Sequence, residues 1–252
     1  MDRVSTSVPG HVADRIRRTR RHPRVTQFDY LHVRRLVHDL AGAIGALGEV
    51  RDVLDVYCGA RPYDDLFPPG ARIVGFDVED RFGVADVVSR EFLPFPPDSF
   101  DAVVCTQAFY YIEDPLPAAR ELRRVLRPGG TALVSVPVVW EYDTRTFEHR
   151  FTESSLRRVF EGWDDVTVVE NGGWGVSWAA VTGSLFARVQ ERLAARVVPR
   201  TLARPVFAAL YVAINAIGLA LEAIDSRMVR GSYRLPMNLL ISARRPHHDA
   251  VA

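Results

Sequence analysis

Two apolar runs of the chain end in residues that suit the binding of a nucleoside. The first run, 53–56, leads into the turn Tyr57-Cys58-Gly59, and the second, 73–76, ends at Asp77. Gly59 has no side chain, so a ligand can approach its backbone closely, while the Asp77 carboxylate can accept hydrogen bonds from a ribose diol. If both runs are neighbouring strands, the turn and the carboxylate meet at one edge of a sheet. The spacing therefore predicts a site for a nucleoside-containing cofactor.

The elements that position this site are short strands that alternate with helices. Such an alternation implies right-handed crossovers and a sheet covered on both faces. We expect an α/β fold, doubly wound, with a mostly parallel seven-stranded sheet. The predicted strands are 51–57, 72–76, 84–88, 100–105, 131–136, 166–169 and 238–242, and the predicted helices are 26–48, 115–126 and 153–161.

Composition narrows the class of protein. The chain has 252 residues, of which 48% are hydrophobic and 25% charged, enough apolar material for one large folded domain. The net charge of +1 argues against a nucleic-acid partner. Two cysteines are too few for a disulfide framework and lack the spacing of a metal site, so no metal is expected. All cationic side chains are arginines, which excludes lysine Schiff-base chemistry.

The order of segments predicts how the domain is organised. We expect a basic N-terminal tail without packed structure over 1–25, since it carries six arginines between 15 and 24 and few apolar residues. The core with its N-terminal helix covers 26–171, and a helical insertion over 172–235 precedes the last strand. The segment 236–244 contains that strand, and a C-terminal tail, 245–252, follows it. The segment 1–10 lacks the apolar core of a signal peptide, which predicts a cytoplasmic protein.

The insertion contains one ambiguous segment. Residues 205–221 carry no charge for seventeen positions, just short of the roughly eighteen expected of a transmembrane helix. We favour a helix that packs on the domain and covers the substrate. The alternatives are a helix on a membrane surface, with peripheral contact through 185–224, and a true span.

Two further patterns follow the cofactor turn: Leu93-Pro94-Phe95-Pro96-Pro97-Asp98 before the fourth strand, and Leu126-Arg127-Pro128-Gly129-Gly130 before the fifth. In this order the motifs resemble those of the class I S-adenosylmethionine-dependent methyltransferases. The resemblance covers about 50–170 and points to the broad small-molecule group that includes the ubiquinone and menaquinone biosynthesis enzymes. It implies a Rossmann-like fold and S-adenosylmethionine as the cofactor.

The resemblance also implies roles for individual residues. The turn after the first strand would lie beside the methionine part of the cofactor, and Asp77 would hold the ribose. The end of the fourth strand would lie next to the sulfonium. The implied cofactor-binding residues are Asp55, Tyr57, Cys58, Gly59, Asp77, Phe92 near the adenine, Thr106 and Gln107. For Cys58, as for Cys105, a packing role as a small core residue is the favoured interpretation.

The chain departs from the family pattern at several positions. Tyr57 and Arg61 stand where the family commonly has glycines. Ser89 stands where an acidic residue often contacts adenine, with Glu91 nearby as a substitute. Tyr110-Tyr111 replaces a frequent Glu-His pair.

Methyl transfer requires little acid–base chemistry of the protein. The enzyme must place a nucleophile in line with an already activated methyl group and, for oxygen or carbon, accept a proton. His149 lies after the fifth strand and is the candidate base, although a structural role at the start of the next helix is the favoured alternative. Tyr111 is the second catalytic candidate. Together with Tyr110, Trp140 and Tyr142 it could line an aromatic acceptor site.

These observations predict S-adenosylmethionine-dependent methyl transfer to a small-molecule or lipid-linked acceptor, at oxygen. The alternative is a catalytically silent binding or scaffold protein that keeps the fold. A nicotinamide dehydrogenase is disfavoured because Gly-x-Gly-x-x-Gly is absent from the chain. The sequence predicts no oligomeric state.

Overall fold

A seven-stranded sheet forms the centre of the protein. The structure, a computed structural model, describes residues 10–196, 200–229 and 234–247. The strand order is β3-β2-β1-β4-β5-β7-β6, and all neighbours are parallel except β7, which is antiparallel to β5 and β6. This topology confirms the predicted α/β class. The strands are β1 Asp52–Val56, β2 Arg72–Asp77, β3 Val87–Val88, β4 Phe100–Thr106, β5 Leu126–Pro137, β6 Asp164–Asn171 and β7 Asn238–Arg244.

Six α-helices of the described residues surround the sheet. Asp114 begins α3, since its carboxylate accepts the Leu116 N–H and Pro115 occupies the first helical turn. Thr152 and Ser155 form a capping box that begins α4. The helices are α1 Gly10–Arg21, α2 Tyr30–Gly45, α3 Pro115–Val125, α4 Glu153–Val159, α5 Trp174–Arg196 and α6 Arg200–Ile224.

The helices cover the two faces of the sheet with separate apolar cores. On one face, α2 packs Val33, Leu40 and Ile44 against strand residues of β1, β4, β5 and β7. On the other face, α3 and α4 contribute Leu122 and Leu156 to the larger core. Strand order reverses between β1 and β4, and the carboxyl ends of parallel strands at such a point leave a crevice for a ligand.

The N-terminal segment differs from the expectation of an unpacked tail. Residues 10–21 form α1, and its arginines have specific partners. The Arg17 guanidinium donates to the Ala60 carbonyl at 2.7 Å, Arg20 pairs with Asp29 at 3.1 Å, and Arg21 with Asp65 at 2.8 Å. These acceptors lie up to 44 residues away along the chain, so local composition does not reveal them. Of the predicted tails 1–25 and 245–252, residues 1–9 and 248–252 lie outside the described residues.

Helices α5 and α6 occupy the segment predicted as an insertion and form an antiparallel pair, here called the α5–α6 hairpin. A Cβ built on Gly175 would lie 2.2 Å from the Gly218 carbonyl oxygen, so the two backbones are in direct contact. The Glu222 carboxylate of α6 accepts the Gly173 and Val176 N–H groups at 2.8 and 3.1 Å, which caps the start of α5. Both helices also pack on α2.

Candidate active site

An open cleft of about 1080 Å³ lies at the carboxyl ends of β1, β2 and β4. Four segments line it: the turn with Tyr57 and Gly59, the loop 77–82 after β2, positions 108 and 111 after β4, and the loop 143–147 after β5. Of the residues predicted to bind the cofactor, the cleft wall contains Tyr57, Gly59 and Asp77. The cleft is therefore where the ends of three central strands meet.

Gly59 and Asp77 are joined by a hydrogen bond across the two strand ends. The Gly59 N–H donates to Asp77 Oδ2 at 3.0 Å, and the Val78 N–H donates to Oδ1 at 2.8 Å. Gly59 has φ +52°, a left-handed conformation that glycine adopts without strain. A carboxylate has about four acceptor positions, so Asp77 can still accept hydrogen bonds from a ligand in the cleft.

Asp55 is a buried carboxyl group behind the turn. It is 7% exposed, and no hydrogen bond or ion pair within the described part of the chain involves its side chain. Burial raises the pKa of Asp55 well above its usual value, and the nearby Asp64 raises it further. A cationic group bound nearby would favour the ionised form. The carboxyl thus suits a ligand that carries positive charge.

Tyr57 forms part of an aromatic wall. Its ring lies 6.1 Å from the Phe76 ring and 6.1 Å from the Phe92 ring, measured between centroids. Burial raises the pKa of the Tyr57 hydroxyl to about 12, so the phenol stays neutral at physiological pH. Phe92 packs in this cluster against the core, whereas Phe82 faces the cleft. Phe82 is therefore a half-buried aromatic residue of the cleft wall that sequence reasoning missed.

Arg61 accounts for one departure from the glycine pattern. Its guanidinium donates to Asp64 at 2.8 Å, to Asp86 at 2.6 Å and to the Ile73 carbonyl at 2.8 Å. A Cβ on Gly75 would lie 3.2 Å from Arg61 Cδ. Arg61 thus has a packing role: it fills the space beside β2 and links the turn after β1 to the segments that contain Asp64 and Asp86.

The two cysteines are core residues. Cys58 is 4% exposed and Cys105 is fully buried, and burial raises the pKa of both thiols.

Gln107 is turned toward β5: its backbone N–H donates to the Ser135 carbonyl at 2.9 Å, and its amide donates to Ser135 Oγ at 3.3 Å. Thr106 is not among the residues that line the cleft, whereas Ala108, two positions later, is.

The two catalytic candidates occupy different places. Tyr111 lines the cleft, is 46% exposed and stacks on the Tyr110 ring at 4.1 Å. His149 does not belong to the cleft wall. Its Nε2 lies 3.1 Å from the Glu113 carbonyl, and its ring packs between Phe147 and Phe151. If Nε2 donates this bond, Nδ1 keeps its lone pair.

The other aromatic residues proposed for the acceptor site lie elsewhere. Trp140 packs against the core of the α5–α6 hairpin, and Tyr142 is 72% exposed outside the cleft wall. The loop 143–147 takes their place, and sequence reasoning missed it. Asp143 and Arg145 pair at 2.6 Å, which lowers the pKa of Asp143 to about 2. The only signal in the sequence is the position of this loop after β5.

Comparison with known proteins agrees with this geometry. Residues 54–134 match the profile of a methyltransferase domain. The thiol S-methyltransferase TMT1B of Homo sapiens is 30% identical over 128 residues, covering 43% of this chain and 49% of that protein. A probable S-adenosylmethionine-dependent methyltransferase of Mycolicibacterium smegmatis is 35% identical over 114 residues, 41% of each chain. The chain thus spans less than half the length of the curated relatives it matches.

Likeness to solved structures extends further along the chain. The structure of the cyclase SpnF superimposes with a TM-score of 0.53 and 20% identity, covering 87% of this chain and 83% of that one. At this identity the likeness shows the fold alone. Together, the sequence matches show similarity to S-adenosylmethionine-dependent methyltransferases over part of the chain, and the matched segment 54–134 contains the turn after β1 and Asp77.

Proposed function

We propose that the protein transfers the methyl group of S-adenosylmethionine to an oxygen atom of a small-molecule or lipid-linked acceptor. The observation that carries this proposal is the Asp77 carboxylate, which the Gly59 N–H holds at the wall of an open cleft. The motifs over 50–170 favour the small-molecule group that includes the quinone biosynthesis enzymes.

The residues of the cleft fit the cofactor. Asp77 would accept hydrogen bonds from the ribose hydroxyls, and Gly59 leaves the backbone of the turn accessible. Asp55 lies behind the turn as a buried carboxyl without a hydrogen-bond partner in the described chain, and a positive charge bound nearby would favour its ionised form. When bound, the cofactor supplies a methyl group that its sulfonium already activates.

The protein would then orient the acceptor and remove a proton from it. Tyr111 and Phe147 form an aromatic wall of the cleft, which suits an apolar or aromatic acceptor. Asp143 is a poor base, because Arg145 lowers the pKa of its carboxyl to about 2. We retain His149 as the proposed base. Its ring centroid lies 4.8 Å from that of Phe147, which lines the cleft.

Oxygen is the proposed nucleophile, and sulfur is the second candidate because the human relative is a thiol S-methyltransferase. A panel of phenols, alcohols and thiols, assayed with labelled S-adenosylmethionine, separates the two. Transfer to phenols or alcohols supports the proposal, whereas transfer to thiols alone contradicts it.

We place the protein in the cytoplasm, with peripheral membrane contact through 185–224 and no nucleic-acid partner.

A silent scaffold is the alternative function, favoured by one observation: Tyr57 presents its ring to the cleft where the family commonly has glycine. Calorimetry with S-adenosylhomocysteine distinguishes the two. Binding supports the proposed enzyme, and the lack of binding by folded protein supports the scaffold.

A further inference from the structure

The outer surface of the α5–α6 hairpin is apolar over most of its length. On α6, every exposed residue between 205 and 224 is apolar. On α5, the exposed positions follow helical spacing and include two tryptophans. Large exposed side chains of this surface, called the hairpin face, are Trp174, Trp178, Val181, Leu185, Val189, Leu193, Val206, Val212, Ile217, Leu219 and Ile224, each at least 38% exposed.

The hairpin face does not turn toward the rest of the domain. Both helices pack on α2 and on each other, so their exposed sides point away from the sheet. Only 22% of the most apolar 18-residue window within Ala203–Arg227 is buried. Contiguous apolar surface of this extent is rare on a protein that contacts only water.

Helix α6 is nevertheless fixed to the domain. The Asn215 side-chain amide donates to the Val25 and Gln27 carbonyls at 2.9 and 3.0 Å, and Glu222 caps α5. Phe207 and Tyr211 of α6 are buried in the apolar core that α5 and α6 share with Leu31 of α2. A membrane span would remove these contacts. The geometry therefore fits a helix that lies along a surface with one side in the domain.

Charge at one end of the hairpin indicates which surface. Between 188 and 204 the sequence has one acidic residue, Glu191, and five arginines spaced four residues apart. Arg192 and Arg204 are exposed, whereas Arg188 pairs with Glu141 and Glu191. At the opposite end lie Trp174 and Trp178, a residue type that favours the boundary between lipid and water. An anionic lipid headgroup layer complements both features, because arginine near such a layer is attracted electrostatically.

We propose that the hairpin face binds the surface of an anionic phospholipid bilayer. The bound protein lies with α5 and α6 parallel to the bilayer and their apolar side chains among the upper acyl groups. This commits to lipid as the occupant; a second copy of the chain is the competing occupant.

The hairpin is connected directly to the cleft. Trp140 packs in the hairpin core, and Glu141 pairs with Arg188 of α5 at 2.7 Å. Two residues later the same loop begins to line the cleft at Asp143. Resting on the proposed function, we infer that this enzyme takes an acceptor that partitions into lipid, because the loop spans the path from the bilayer surface to the cleft.

Co-sedimentation of the full chain with vesicles tests the proposal. Phosphatidylcholine vesicles with phosphatidylglycerol should bind the protein, and binding should fall as salt screens the charges. Leu185→Glu combined with Ile217→Glu should weaken binding by about tenfold or more, because a charge is costly among acyl chains. Leu116→Glu is the matched control: Leu116 is 49% exposed on α3, on the other face of the sheet, and its change should leave vesicle binding intact.

Three outcomes would overturn the proposal. They are no binding to anionic vesicles at low salt, equal binding to vesicles of phosphatidylcholine alone, and a dimer in solution that the Leu185 and Ile217 changes dissociate. Calorimetry with S-adenosylhomocysteine on each variant checks folding and tests the proposed function separately. Vesicle binding without cofactor binding would contradict only the enzyme, and the reverse would contradict only the membrane surface.

Discussion

The cleft and the α5–α6 hairpin are stabilised in different ways. Around the cleft turn, polar contacts between residues at most 25 positions apart tie neighbouring strand ends together, as in the Gly59 N–H bond to Asp77 and the Arg61 contacts with Asp64 and Asp86. In the hairpin, backbone contact and apolar packing dominate, and Glu222 contacts residues almost fifty positions away. The cleft is therefore encoded by local motifs, whereas the hairpin depends on contacts between distant segments.

The two regions also contain buried titratable groups of opposite kind. Behind the cleft, burial raises the pKa of Asp55. Beside the hairpin core, burial lowers the pKa of His32 to about 3, and both ring nitrogens lack a hydrogen-bond partner within the described chain. Burial favours the neutral form in both cases. Acidification therefore lowers the free energy of unfolding through His32 and raises it through Asp55.

Gly175→Ala should have the largest effect, and it should act on the hairpin. The new Cβ would lie 2.2 Å from the Gly218 carbonyl oxygen and 2.3 Å from the Glu222 nitrogen, both backbone atoms that cannot move aside. We expect a loss of about 3 kcal/mol in the free energy of unfolding, measured by urea denaturation. Gly42→Ala in α2 is the control. Its Cβ meets nothing within 4 Å, so it should stabilise by about 0.5–1 kcal/mol.

Asp77→Ala should act on the cleft and leave the hairpin intact. Loss of hydrogen bonds to a charged group should weaken S-adenosylhomocysteine binding by about 1.5–3 kcal/mol in calorimetry. Asp114→Ala removes a comparable carboxylate that accepts one backbone N–H, at the start of α3. It should lower stability by about 1 kcal/mol without changing cofactor affinity. Equal affinities for Asp77→Ala and the wild type would remove Asp77 from the proposed site.

The same contrast explains how much the sequence could predict. Strand and helix order follows from periodicity: the predicted strand 72–76 is β2 Arg72–Asp77, and the predicted helix 115–126 is α3 Pro115–Val125. The proximity of Gly59 and Asp77 follows from the pairing of β1 with β2. Local pattern is therefore sufficient to predict that Gly59 and Asp77 line one cleft.

The rest depended on contacts that no local pattern reveals. Helix α1 was missed because Arg17 and Arg21 are paired with groups over forty residues away. The loop 143–147 has no periodicity, and its place in the cleft depends on Trp140 and Glu141, which contact the hairpin. The sequence therefore predicts the turn after β1 and Asp77, but not the loop 143–147, whose position depends on contacts with the hairpin.

The pH dependence of stability should sharpen the contrast through His32. Its folded pKa of about 3 lies below the unfolded value of 6.5, so below pH 6.5 the unfolded chain binds a proton that the folded chain does not. Stability is lost as the pH falls from 6.5 toward 3, by about 2 kcal/mol at pH 5 for this group alone. Asp55, whose pKa is raised, contributes the opposite slope.

The difference between the wild type and His32→Phe isolates this effect. Phenylalanine keeps a ring against Trp140, which lies 5.4 Å from His32 between centroids, and it cannot be protonated. Urea denaturation at pH 7 and pH 5 should show the variant losing less stability than the wild type. Equal losses in both proteins would mean that His32 is not a buried neutral group.

The smallest expected effect is that of Tyr57→Phe, which asks whether the cleft is open to the cofactor. No hydrogen bond within the described residues involves the Tyr57 hydroxyl, while the ring makes the contacts with Phe76 and Phe92. Removing the hydroxyl should change S-adenosylhomocysteine affinity by less than about 0.5 kcal/mol. Tyr57→Gly tests obstruction directly, because φ +55° at this position suits glycine. If that variant bound the cofactor more than about tenfold tighter, a difference of about 1.4 kcal/mol, the ring would stand in the binding path, and the silent scaffold would be the better interpretation.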